Sequence, residues 1–366
     1  MADPWHEKFA RTLLHYSLGI RPGDKLLIRA MPAAYPLLRE VYREAIRAGA
    51  HPTTQIELDD LDEIKLREGT DEQVGYFPAA RLREVEELDA VLIITASENT
   101  RTLSGIPPER VALLQRAGAA WSRRRMERAA TGELRWCGTL FPTHGHAQEA
   151  GMSLAEYEDF VYHACLLDRD DPAAAWREVH REQQRIIDYL ARRDEIRIVA
   201  PDTDLTYRVG GRTWINSSGA RNFPSGEVFT APHEDSASGT VRFSYPALRF
   251  GNEVEDVRLT FRDGRVVAAT AARGQAFLEA MLELDPGARA LGEVAFGLNY
   301  GITRFTRNIL FDEKIGGTMH LALGQAYPDS GGTNRSALHW DLICDLHEGR
   351  VYADGELCYA DGRFTI

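Results

Sequence analysis

SALHWDLICD, residues 336–345, reads as a β-strand with an imidazole and a carboxylate on one face. Successive side chains of a strand point to opposite sides, so His339 and Asp341 share a face while Leu338, Trp340 and Leu342 take the other. A strand with one wholly apolar face belongs to an antiparallel sheet packed on a core. The ionisable face admits two explanations. One is a buried His–Asp pair that satisfies itself, since buried charges survive by pairing. The other is a metal site, which needs further ligands from elsewhere in the chain.

The sequence around this strand repeats its character. IRIVAPDTDLTYRVGGRTWINSS (196–218), TVRFSYPA (240–247), VRLTFRDGRVVAATA (257–271) and ELCYADGRFTI (356–366) are short β-rich runs. Asp263-Gly264 and Asp361-Gly362 stand where hairpin turns are expected. One helix, GQAFLEAMLEL (274–284), interrupts them.

The first half differs. Helical patterns at 5–20, 34–50 and 110–129 alternate with strand patterns KLLIRA (25–30), HPTTQIEL (51–58) and DAVLIITA (89–96). That alternation predicts a partly parallel sheet covered by helices. Ser153 and Glu156 have capping-box spacing, and Asp171-Pro172 opens a helix that runs to about residue 192. The expected architecture is an α/β domain over residues 1–192 and an α+β domain, mainly antiparallel β, over residues 193–366.

Composition narrows the function. A chain of 366 residues exceeds one ordinary core, and 44% hydrophobic with 27% charged residues is a globular balance. A net charge of −12 argues against a nucleic-acid partner, which wants a basic face. No apolar run approaches the ~18 residues of a membrane helix, and the N-terminus lacks the pattern of a signal peptide. The four cysteines, Cys137, Cys165, Cys344 and Cys358, have no C-x-x-C spacing, so reduced thiols in a cytoplasmic setting are expected. The chain has no phosphate-cradling loop, dinucleotide fingerprint, G-x-S-x-G elbow or H-E-x-x-H helix.

The β-rich half does hold ligand-type residues in apolar, glycine-flanked settings. Glu227 sits in FPSGEVFTAP and Glu293 in LGEVAFGLNYGI; His320 sits in KIGGTMHLALG; His339 and Asp341 complete the set. Each alone reads as structural. Together they are five ionisable residues planted where an unpaired charge is expensive, and metal explains the set better. Two divalent cations balance Glu227, Glu293, Asp341 and one hydroxide, with the two imidazoles neutral. Mixed oxygen and nitrogen donors without thiolate suit Zn, Co or Mn.

At these residues the sequence resembles the thermophilic metallo-aminopeptidase family, of the aminopeptidase T and aminopeptidase S type. FPSGEVFTAP, the G-E-V-A-x-G run, DEKIGGTMHLALGQAYPDSGG and SALHWD match that family's motifs in order, as do HYSLGIRPGDKLLI and AQEAGMSLAEYEDFVYHAC in the first half. The resemblance implies release of N-terminal amino acids from peptides with a free N-terminus, by hydroxide activated at two metal ions. It implies a homodimer around an internal cavity, walled by the first domain. It assigns Glu227, Glu293, His320, His339 and Asp341 as metal ligands, with Glu293 as the bridge; the mechanism expected on that basis makes Glu293 the proton carrier as well. It also assigns Tyr327 as the group stabilising the oxyanion. Without it, Tyr327 reads as an aromatic beside a turn.

One other enzyme class fits part of the set. His320, His339 and Asp341 form a two-histidine, one-carboxylate group like that of mononuclear Fe(II) dioxygenases such as the dihydroxypyridine ring-cleaving enzymes, although such a site does not need Glu227 and Glu293. His144 and His146, an H-x-H pair in THGHAQEA, read as part of a loop without metal.

Overall fold

The computed structural model describes residues 3–249 and 251–366. The chain divides into two compact units, Met1–Ala173 with Gly219–Phe223, and Ala174–Ser218 with Pro224–Ile366.

The first unit is built on strands β1 (Lys25–Ala30), β2 (His51–Ile56), β3 (Ala90–Thr95) and β4 (Arg135–Leu140), all parallel, in the order β2-β1-β3-β4. Leu26, Ile28, Val91 and Leu92 are buried, as expected for parallel strands covered on both sides by crossover helices. The N-terminal helix begins at Pro4 with Asp3 accepting from the Trp5 amide, and its last turns, Thr12–Ser17, widen into a π-helix. The Ser153–Glu156 capping box forms as expected. THGHAQEA is not a loop. Thr143 caps a short helix, His144–Glu149, by accepting from the His146 amide.

The second unit contains β5 (Glu195–Ala200), β6 (Thr203–Arg208) and β7 (Ile215–Ser217). The chain then leaves briefly as β8 (Asn222–Phe223), which adds in parallel to β4 in the first unit's sheet. It continues through β9 (Glu227–Thr230), β10 (Ser238–Phe243), β11 (Ala247–Arg249), β12 (Asn252–Val254), β13 (Val257–Arg262) and β14 (Arg265–Thr270). The last strands are β15 (Leu291–Gly297), β16 (Thr318–Gly324), β17 (His339–Asp345), β18 (Arg350–Ala353), β19 (Glu356–Ala360) and β20 (Arg363–Phe364). They form an eight-stranded sheet, β14-β13-β10-β6-β5-β18-β19-β20, and a five-stranded sheet, β17-β16-β15-β9-β7; every pairing in both is antiparallel. Asp263-Gly264 and Asp361-Gly362 take left-handed φ at both residues, the geometry a tight hairpin needs.

One core joins the two sheets. Ile198, Leu205, Val241 and Leu259 from the larger meet Val294, Leu321, Leu323, Trp340 and Leu342 from the smaller. Ile187 and Leu190, from the helix Pro172–Leu190, pack into the same core. The helix therefore counts with the second unit from Ala174 onward, whereas its sequence position suggested the first and a boundary at Arg192.

A bulge in β15 decides which way Glu293 points. Leu291 pairs with Leu323, yet Glu293, two residues on, pairs with Ala322. The extra residue is Gly292. It reverses the alternation, so Leu291 lies in the core while Glu293 faces away from it. A Cβ on Gly292 would stand 2.3 Å from the Gln325 carbonyl oxygen and 2.5 Å from that of Gly324. Gly292→Ala is expected to lower stability by about 1–3 kcal/mol through this overpacking, read as a shifted urea midpoint at unchanged slope. An unshifted midpoint would show that the bulge has room to spare.

Candidate metal centre

The ionisable residues occupy the outer face of the five-stranded sheet. On β16, His320 and Ala322 alternate with Met319, Leu321 and Leu323, which belong to the core. On β17, His339 and Asp341 alternate with Trp340 and Leu342. Ala322 pairs with Glu293 on one side and Asp341 on the other, so a row runs across three strands with the smallest side chain in the middle. Glu227 starts β9 opposite Gly297. Glycine is required just before it: Gly226 has φ +116°, and a Cβ there would meet the Asn299 Cβ at 2.7 Å.

These placements bring all five expected ligand residues together. His320 Nε2 lies 3.3 Å from Glu293 Oε1 and 3.7 Å from Glu227 Oε2. His339 Nε2 lies 3.6 Å from Glu293 Oε2 and 3.5 Å from Asp341 Oδ1. Each carboxylate oxygen of Glu293 thus faces a different imidazole. Both histidines turn their other nitrogen to a main-chain carbonyl, His320 Nδ1 to Glu313 O at 2.9 Å and His339 Nδ1 to Gln325 O at 2.8 Å. A carbonyl only accepts, so the network assigns the proton to Nδ1 in each neutral ring and leaves Nε2 with a lone pair aimed inward. Tyr327 stands beside the cluster, its ring 5.0 Å from that of His339 and 5.7 Å from that of Phe229.

Two residues at the centre were not found from the sequence. Glu313 supplies a further carboxylate: ligand atoms of Glu313, His320 and Asp341 lie within 4.8 Å of one another, as do those of Glu293, His339 and Asp341. Lys314 is fully buried; its ammonium lies 3.6 Å from Glu227 Oε1 and pairs with the Glu313 carboxylate. Both sit in DEKI, just after the short helix Ile309–Asp312, where a run of charges reads as a solvated turn. Only the fold turns that run inward.

The cluster is a strained set of charges. Burial pushes the Glu227 carboxyl up to about 7 and raises that of Glu293. Burial works against the His320 cation, yet the hydrogen bond with Glu293 raises it to about 10, so without metal Nε2 carries a proton and its lone pair is freed only in the neutral ring. Asp341 and Glu293 likewise raise His339 in spite of its burial. Burial and the neighbouring Glu293 hold the Tyr327 phenol above its usual range, so it stays protonated at neutral pH.

Metal fits this arrangement on two observations. Glu227 Oε2 is buried and without a hydrogen-bond partner while it points toward His320. Donor separations of 3.3–3.7 Å match the ~3.4 Å edge of a tetrahedron of atoms ~2.1 Å from a common ion. His144 and His146 contribute nothing here. His146 is buried against Tyr157, rings stacked at 6.4 Å, and its Nε2 has no hydrogen-bond partner.

Comparison with known proteins points the same way. The profile of the thermophilic metalloprotease (M29) family matches residues 3–364. Aminopeptidase 2 of Geobacillus stearothermophilus is 31% identical over 96% of this chain and 94% of its own. Aminopeptidase T of Thermus thermophilus is 31% identical over 98% and 96%. The solved structure of wild-type AmpT from Thermus thermophilus superposes with a TM-score of 0.86 at 28% identity, covering 99% of both chains.

His146 offers a separate test of the electrostatics. Burial lowers its pKa to about 4, with Glu149 opposing weakly. The unfolded chain therefore takes up a proton below pH 6.5 that the folded protein refuses, and stability falls as pH drops from 6.5 toward 4. His146→Leu is expected to flatten that part of the stability curve, measured as urea midpoints at about pH 7 and about pH 4.5. An identical slope in the variant would mean the ring is protonated in the fold.

Proposed function

The chain belongs to the thermophilic metalloprotease (M29) family and is a metal-dependent aminopeptidase, and from that premise we propose a dinuclear centre formed by Glu227, Glu293, His320, His339 and Asp341. The observation that carries it is the two-sided disposition of Glu293, one oxygen toward His320 and the other toward His339. A carboxylate so placed suits a bridge between two ions. Two Zn, Co or Mn ions also suit the charge. The extra carboxylate of Glu313 is offset by Lys314, so the balance of two divalent ions, three ligand carboxylates and one hydroxide still holds. Glu313 is itself near enough to His320 and Asp341 to take part. The named relatives are aminopeptidases, and neither supports a one-iron dioxygenase.

Ions at such a centre polarise a peptide carbonyl and make hydroxide available at neutral pH. The protein groups do the rest. The carboxylates of the centre orient the free α-amino group of the peptide, which ties cleavage to the N-terminal residue. Glu293, whose carboxyl burial raises, takes the proton from the attacking water and returns it to the leaving amine. Tyr327, protonated, part-exposed and against His339, donates its phenol hydrogen to the oxyanion. We carry over the homodimer and cytoplasmic setting in the same proposal. Among the described residues no helix is long and apolar enough to cross a membrane, and the four cysteines are buried.

Protein reconstituted with cobalt is expected to hydrolyse leucine p-nitroanilide, to lose that activity with EDTA, and to leave the N-acetylated anilide intact. Equal rates on both anilides would remove the requirement for a free amine. Tyr327→Phe is expected to lower kcat ~10²-fold or more with KM and bound metal unchanged. A wild-type kcat would take the oxyanion role away from Tyr327.

A further inference from the structure

Lys314 is a cation among these acids that the dinuclear proposal does not use. It is fully buried, at the entry to β16, its charge shut off from solvent. An ammonium in that position persists only if paired, and it has two carboxylates: Glu313 in direct contact and Glu227 Oε1 at 3.6 Å. Both lie toward His320, while Asp341 is shared, within reach of Glu313 and His320 as well as of Glu293 and His339. The other group, Glu293, His339 and Asp341, is given no lysine among the described residues; its ion pairs are with the imidazoles themselves. Arg249 donates to the main-chain carbonyl of His339 and senses the charge of Asp341 through space. Glu227 is held by one oxygen toward the ammonium, and its second oxygen is left unpartnered toward His320.

We infer that Lys314 is a tethered counter-ion that makes the two metal positions unequal, weakening and rendering exchangeable the ion on the Glu227–Glu313–His320 side. The inference rests on the dinuclear proposal. Its physical basis is competition between fixed and mobile charge. Lys314 already neutralises part of the negative charge on that side, so a divalent ion there meets a smaller net attraction and a fixed like charge close by. Among the described residues no ammonium is buried against Glu293 or His339, and the cation on that side, Arg249, is only half-buried. The same ammonium offsets the crowded charge of Glu227 and Glu313 before any metal arrives, which holds the site in shape when it is empty. Lys314 is therefore a positioning residue. It touches candidate ligands and not the substrate.

Competition titration of the metal-free full-length protein with zinc against a chromogenic chelator, with bound metal counted by mass spectrometry, tests this. The wild type is expected to bind two ions with affinities at least tenfold apart. Lys314→Met and Lys314→Gln, which remove the charge, are expected to tighten the weaker affinity at least tenfold. They should also lower the melting temperature of the metal-free protein more than that of the zinc-loaded protein. Lys314→Arg, which keeps the charge, is expected to keep the inequality. Two equal affinities in the wild type would overturn the inference while leaving the dinuclear site standing, as would an unchanged weak affinity in both neutral variants. Stoichiometric binding of one ion in the wild type and two in the neutral variants would support it in its strongest form. A wild type that binds no zinc would instead overturn the dinuclear proposal and this inference with it. Should Lys314→Met fail to fold without metal, the Gln variant and the Arg control decide the question.

Discussion

The structure depends on one constraint: a five-stranded sheet carries the hydrophobic core on one face and a cluster of carboxylates, imidazoles and an ammonium on the other. Leu321, Leu323, Trp340 and Leu342 cannot leave the core without losing several large buried side chains. Strand alternation then obliges His320, Ala322, His339 and Asp341 to meet on the opposite face. Glu227 and Glu293 are as buried there as the apolar residues behind them, at 4% and 5% exposure. Unpaired charges at that depth are costly, so the groups satisfy one another or an ion. The core positions the cluster, and the cluster demands its counter-charges.

Glycine makes the arrangement possible at the points where strands alone would fail. Gly292 adds the residue that swings Glu293 out of the core and onto the site face. Gly226 lets the chain approach Asn299 so closely that β9 begins with Glu227 already in place. The G-E-V pattern found twice in the sequence thus has two different origins, a bulge in one case and a left-handed entry turn in the other.

Much of the site was legible because it obeys local rules. The apolar face of 336–345, the alternation around His320 and the two glycine-flanked acids each follow from spacing within a few residues. Glu313 and Lys314 were not legible, since a charged run after a short helix ordinarily faces water. The helix at 172–190 was found with its correct start but placed with the first half, because its sequence shows an apolar side and not which core receives it. His144 and His146 were passed over as a loop; Thr143 supplies the cap that turns them into a helix, and His146 is buried beside Tyr157.

By itself the sequence determined many of the strands and their faces, the two architectures and the residue types able to hold a metal, because those depend on periodicity and on the chemistry of single side chains. Tertiary structure alone decided that residues from 227 to 341 converge, that a bulge reverses the parity of β15, and that Lys314 ends buried against the cluster. Those outcomes depend on hydrogen-bonded register between strands far apart in the chain. Register is set by partners, and no segment carries its partner's position within itself.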